Sequence, residues 1–354
     1  MQTYLLRVIL AATAAGIAAT SATAAPPDLT GTYNVATLTP LQRPEEFGEN
    51  LYLTPERANR IMADAEARRV ARSANRGPVT EAPPEGGAPP VGIGDEFRET
   101  SGAGNVGGYN DFWVDPGSEV FMVDGRFRTS IILEPANGRM PTMTPVAMKH
   151  AMERRKLRRP NDGTAWWVAL EGAGPYDGPE SLGISERCIL GFTGTAPTFP
   201  SLYNNYKRIV QTDDHVMIFL EMVHDARVVR MGGQHPPAHV KKWLGDSVGR
   251  WEKDTLVVET ANFHPMSRPG YLGSENARVE ERFTRLANGD LLYRFTVDDP
   301  TVWEAPWTGE YLWRATADKV YEYACHEGNY SMGGILRGAR LLEEEAMAGG
   351  VGGR

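Results

Sequence analysis

The densest group of chemically capable side chains is Glu221-Met222-Val223-His224-Asp225-Ala226-Arg227. It places two carboxylates, an imidazole and a guanidinium in one β-patterned run, His215–Arg230. Side chains on a regular strand alternate between faces. Glu221, Asp225 and Arg227 then share one face, while His224 joins Val216, Ile218, Leu220 and Met222 on the other. His224 is therefore expected to point at a core or a barrel interior. An imidazole there is either a general acid/base working near neutral pH or a core histidine held by a backbone or carboxylate partner. Asp225 or Glu221 would orient it or share its proton, and Arg227 would hold an anionic or carbonyl oxygen. The plainer alternative for the three charged residues is a cross-strand ion-pair ladder.

Other candidates lie along the same chain. Cys325-His326-Glu327-Gly328-Asn329-Tyr330 follows a strand-like stretch, and loops at strand ends often carry function. His326 with Glu327 is the expected second acid/base group, against a plain turn anchored by cysteine. Cys325 is a poor nucleophile for His326, because neighbours in a strand point to opposite faces. Tyr203-Asn204-Asn205-Tyr206 suits hydrogen bonding and stacking with a polar ring, or an ordinary strand-initiating turn. His235 and His239 have the i, i+4 spacing of a zinc pair, but Pro236 and Pro237 separate them and no H-E-x-x-H glutamate is present. No metal is expected there. The loop reads instead as a rigid segment at a barrel mouth, with Trp243 available to a ligand. The chain has no P-loop and no βαβ alternation, so no cofactor is expected.

The whole chain limits what these residues can serve. Arg7, the apolar run from Val8 to about Thr20, and Ala22-Thr23-Ala24 read as a secretory signal with an A-x-A cleavage site. Removing residues 1–24 leaves 354 − 24 = 330 residues and takes the net charge from −8 to −9, since Arg7 is the only charge lost. An acidic exported chain is a poor ligand for a phosphate backbone, so no nucleic-acid partner is expected. No later segment has the 18 or so apolar residues of a membrane span. The two cysteines, Cys188 and Cys325, are 137 positions apart. In an oxidising compartment they are candidates for a disulfide. A periplasmic or secreted location follows, with oligomeric state left open.

The elements that must position these groups are mostly strands. Thr54-Pro55 and Thr144-Pro145 each start a helix, with Thr as N-cap and Pro at the first turn. A short helix over Ser331–Met347 is expected near the end. The stretch 77–108, rich in Pro and Gly, reads as a long mobile loop. Hairpins are expected over Glu252-Lys253-Asp254, over Ala287-Asn288-Gly289-Asp290, and over Ala317-Asp318-Lys319 into a strand Val320–Cys325. The run His215–Arg230 is too long for one strand and should break near His224-Asp225. The sum is a mainly β fold: an antiparallel meander closing into a barrel or sandwich, with two or three peripheral helices. The expected divisions are a signal over 1–24, an N-terminal region over 25–108, a β domain over 109–340 and a tail over 341–354.

Three stretches carry a resemblance. They are Arg128-Thr129-Ser130 through Pro135-Ala136-Asn137-Gly138-Arg139, Trp243-Leu244-Gly245-Asp246-Ser247 with Asp254–Thr260, and Tyr323-Ala324-Cys325-His326-Glu327-Gly328-Asn329-Tyr330. With them the chain resembles a large group of uncharacterised exported bacterial proteins, from about Tyr109 to Arg340. The resemblance implies that the β region is one unit. It implies no catalytic residue and no cofactor. The functional expectation from the residues is an exported hydrolase or lyase acting on a small polar or glycosidic substrate. The alternative is a lipocalin-like protein that binds a small molecule without chemistry.

Overall fold

The computed structural model describes residues 25–74, 115–156, 162–191, 194–202, 205–267, 273–327 and 329–349. The expected signal, the 77–108 loop, and Tyr203 and Asn204 lie outside these residues. In chain order the strands are β1 (Gly31–Asn34), β2 (Tyr52–Leu53), β3 (Met122–Val123), β4 (Arg126–Arg128), β5 (Ile132–Glu134), β6 (Tyr206–Gln211) and β7 (His215–Leu220). They continue as β8 (Ala226–Met231), β9 (Asp246–Glu252), β10 (Thr255–Ala261), β11 (Arg278–Arg285), β12 (Leu291–Asp298) and β13 (Trp307–Thr316). Among the described residues three α-helices accompany them: α1 (Pro55–Ala74), α2 (Pro145–Lys156) and α3 (Tyr330–Met347).

Nine strands close into a barrel in the order β1-β6-β7-β8-β9-β10-β11-β12-β13, and β13 pairs back onto β1 through Thr32↔Thr316 and Asn34↔Arg314. Closure removes the sheet edges that an open meander would expose. β5 lies against β13, and β2, β4 and β3 form a small separate sheet. The barrel is mixed rather than wholly antiparallel. β8 and β9 run parallel, paired Val229↔Ser247 to Met231↔Gly249. A parallel pair needs a crossover, and residues 232–245 supply it by returning along the barrel. The expected hairpin from β13 into Val320–Cys325 does not form. β1 already occupies that edge of β13, so residues 320–325 have no strand to pair with.

Alternation sets the interior. β12 buries Leu291, Tyr293, Phe295 and Val297 and leaves the residues between them half-buried. Aromatic side chains fill this space: Tyr293 lies 5.0 Å from Trp313 and 5.3 Å from Tyr311, ring centre to ring centre. The segment 194–202 closes the barrel end where β13 begins. Phe199 stacks parallel to Trp307 at 6.2 Å, and the Tyr311 hydroxyl donates to the Thr198 carbonyl at 2.8 Å. The long connections 221–225, 262–277 and 299–306 gather at this same end, whereas the other end has tight turns at 212–214 and 253–254.

The first stretch of the resemblance, from Arg128 to Arg139, makes structural contacts. Arg128 pairs with Glu310 at 2.8 Å and so ties the small sheet to β13. Ser130 accepts from Arg43 Nε at 3.3 Å and donates to the Ile132 carbonyl at 2.8 Å. The buried Arg43 also donates to the Ala136 carbonyl at 2.7 Å. Cys188 and Cys325 are disulfide-bonded. In the chain-entropy model a closed loop of this separation contributes roughly 4–5 kcal/mol.

Gly309 marks a tight point of the packing against the β12 aromatics. A Cβ there would lie 2.3 Å from Phe295 Cζ. Gly309→Ala is expected to destabilise the fold by about 1–3 kcal/mol, measured as a lower urea midpoint at unchanged slope.

Candidate functional site

The end of the barrel that holds the long connections also holds its buried charge. Lys207, Asp225, Arg227 and Glu281 all point inward there and are buried. Each sits on an inward position of its own element. Lys207 precedes Ile209 on the inward face of β6, and Glu281 lies between Val279 and Phe283 on that of β11. Asp225 and Arg227 precede Val229 at the start of β8.

The break between β7 and β8 decides which residues of the 221–227 run enter the barrel. Leu220 N donates to the Asp225 carbonyl at 2.8 Å, and a short 3-10 turn, Met222–His224, bulges out between them. Val223 and His224 have φ of 59° and 54°. Two successive non-glycine residues in the left-handed region are uncommon and strained. The bulge shifts the alternation by one residue, so Leu220, Asp225 and Arg227 all face inward. His224 is thrown outward and exposed, its ring 6.4 Å from Phe219. This corrects the expectation that His224 points at the core, which assumed an unbroken strand.

Two groups result. In the first, Arg227 donates to both carboxylate oxygens of Glu281, at 2.8 Å from Nη2 and in a shorter contact from Nη1. Tyr293 OH donates to Glu281 Oε1 at 2.7 Å, and Arg227 Nη1 reaches Thr260 Oγ1 at 3.2 Å. Burial and the Glu281 charge hold the Tyr293 phenol well above its ordinary range. Arg227 Nε meets no acceptor among the described residues.

The second group is Lys207 with Asp225 and Glu221. Burial lowers the Lys207 ammonium to about 7, against the opposing pull of the Glu221 and Asp225 charges. Burial raises Asp225 to about 7, although the Gly191 N–H donates to its Oδ2 at 2.8 Å and Lys207 favours its charge. Glu221 is raised by burial too, opposed by the Tyr321 N–H at 3.4 Å and by Lys207. Opposed shifts that meet near neutrality are what proton transfer at neutral pH requires. Sequence reasoning missed Lys207, Glu281 and Tyr293. The available signal was a charged residue on an otherwise apolar period-two face, as in Val279, Glu281 and Phe283.

The remaining candidates lie elsewhere. His326 and Glu327 are exposed. Their segment is pinned beside Asp225 by the Tyr321–Glu221 contact and by the disulfide, since Cys188 lies three residues from Gly191. No hydrogen bond joins His224 to His326 among those described. The loop with His235 packs against the 262–277 connection, where Asn262 Nδ2 donates to the Pro236 carbonyl at 2.9 Å and Lys242 N to the Asn262 carbonyl at 3.0 Å. His235 and Lys242 of the crossover, with Arg230 of β8, converge on the buried Asp246. Burial raises the Asp246 carboxyl, but hydrogen bonds from Arg230, Lys242 and His235 outweigh it and hold Asp246 well below the usual range. Trp243 stacks on His264, ring centres 3.8 Å apart. Among the described residues no three His, Cys, Asp or Glu side chains gather as a metal set.

The shifts have a definite sign in stability. Between about pH 7 and 10.5 the unfolded chain protonates Lys207 and the folded chain does not, so stability rises with pH there. Between pH 3.8 and about 7 the folded chain keeps the Asp225 proton and the unfolded chain does not, so stability falls as pH rises. Lys207→Met should remove the alkaline rise and Asp225→Asn the acid-side fall, read from urea unfolding at closely spaced pH values. No family model matches the chain, and no curated protein matches it.

Proposed function

We propose that the chain is an exported enzyme acting on a small polar or glycosidic substrate by acid/base chemistry, as a hydrolase or lyase. Asp225 and Lys207 form its proton-transfer pair. The observation that supports this reading is the buried, inward placement of Lys207 and Asp225, with Glu221 close enough to act on Lys207, at the barrel end where the long connections gather. A carboxyl near neutrality gives up a proton as general acid, and a neutral amine accepts one as general base. Arg227 is held by Glu281 and Thr260 and serves as a positioning residue for β8, the strand that Asp225 immediately precedes. His326 and Glu327, exposed on the pinned segment, are the candidates for a second acid/base group.

The binding-protein alternative needs a ligand space inside the barrel. Trp307, Trp313, Tyr293 and Phe295 fill that interior with rings. A periplasmic or secreted location fits the Cys188–Cys325 bridge, since disulfides persist in oxidising compartments. It also fits the A-x-A sequence at Ala22-Thr23-Ala24. Among the described residues no helix is long and apolar enough to cross a membrane.

The test is turnover of a panel of oligosaccharides, uronates and aromatic esters followed by mass spectrometry. Asp225→Asn and Lys207→Met should each lower turnover by at least about a hundredfold. His224→Ala should retain most of it. The pH–rate profile of the unaltered protein should bend near pH 7, where both groups titrate. Full activity in folded Asp225→Asn and Lys207→Met variants would remove both residues from the chemistry.

A further inference from the structure

Apart from the Lys207–Asp225 pair, the chain carries an open surface cavity of about 430 Å³. Its size is within the range of small-molecule sites, roughly 300–1,000 Å³. It lies between α3 and the loops that follow residue 162. Trp167 and Leu170 give it apolar walls; Asp177, Arg340 and Glu343 give it polar ones.

The polar groups are held in place before any ligand arrives. Trp167 Nε1 donates to Glu343 Oε1 at 2.7 Å. Arg340 donates to the same carboxylate at 2.5 Å and to the Tyr176 carbonyl at 3.0 Å. The Gly174 N–H donates to Asp177 Oδ2 at 2.6 Å. A Cβ on Gly174 would lie 2.7 Å from Asp177 Oδ1, so glycine is what lets this carboxylate reach the backbone. The indole of Trp167 is itself fixed edge-on against Tyr176, ring centres 4.6 Å apart.

The chemistry of the lining selects the ligand class. Asp177 and Glu343 against Arg340 leave one net negative charge, which disfavours an anion. Arg340 stands in the wall against a cation. The complement is a neutral molecule with many hydroxyls to give and accept hydrogen bonds, and an apolar C–H face for indole and leucine. Charged acceptors and a guanidinium donor bind hydroxyls more strongly than neutral partners do. Aromatic walls with a polar edge suit the same ligand. We infer that this cavity is a binding site for a saccharide unit, formed by Trp167, Leu170, Asp177, Arg340 and Glu343. It is separate from the Lys207–Asp225 pair and does not rest on the catalytic reading. Either site can be present without the other.

The experiment is a titration of the whole mature protein, labelled with 15N at the tryptophan indoles. The probes are cellohexaose, laminarihexaose and N-acetylglucosamine tetramer, with phosphate, acetate and choline as charged controls. At least one saccharide should shift the Trp167 Nε1 resonance saturably, and the charged controls should not. Asp177→Ala should weaken binding by about tenfold, the value of one charge-assisted hydrogen bond. Glu343→Gln keeps an acceptor for the indole and should weaken it less. Asp225→Asn should leave it unchanged, which separates this site from the barrel end. Variants are compared only where their unfolding midpoints match the parent. Three results would overturn the assignment: no response to any saccharide, an equal response in folded Asp177→Ala, or saturation by a charged control instead.

Discussion

The Arg227–Glu281 pair is the interaction on which the barrel end depends. Both side chains are buried, on strands β8 and β11 that are not neighbours in the sheet. Taking two charges out of water is expensive, and only good geometry with added hydrogen bonds offsets it. Here both carboxylate oxygens accept from the guanidinium, and Tyr293 and Thr260 supply further contacts. The pair therefore fixes β8 relative to the opposite wall. Asp225, two residues before Arg227, is fixed with it. A charged network inside an aromatic core thus acts as the positioning frame for the titratable residues beside it.

Much of the fold was legible because local chemistry and long-range structure agree. Asn288-Gly289 marks a hairpin turn, and Gly289 takes φ of 92° there. Thr54 caps α1, its hydroxyl accepting from Arg57 N at 3.3 Å. The break in His215–Arg230 falls where a strand of that length had to end. The parallel β8–β9 pair was not legible, because a crossover loop and a hairpin loop look alike in sequence. The absent strand at Val320–Cys325 has a similar cause. Its pattern is β, but β1 comes from the far end of the chain to take the edge it needs.

The site was legible in composition and not in direction. Glu221, Asp225 and Arg227 were readable as a cluster. The bulge at Val223 and His224 then changed which of their neighbours faces the barrel, and nothing in the residue types there calls for a left-handed backbone. Lys207 was hidden by ambiguity. In Tyr206-Lys207-Arg208-Ile209-Val210 either face of the strand carries one cation and one aliphatic residue. Only the pairing of β6 between β1 and β7 selects the face with Lys207 as the inner one. Burial then gives this amine and the Asp225 carboxyl opposed shifts, and neither residue type alone implies that.

Lys207, inside the barrel and beside the Glu221 and Asp225 carboxylates, is held to about 7 by burial, and the proton-transfer role of the pair depends on this. Its most direct test is carbon-detected NMR of the protein labelled at lysine Cε, titrated from pH 5 to 11, with Lys207→Met to assign the signal. The account requires one lysine resonance with its midpoint near pH 7, absent from the variant. A Lys207 signal titrating at the ordinary value near 10.5 would contradict it, and with it the role of the pair in proton transfer.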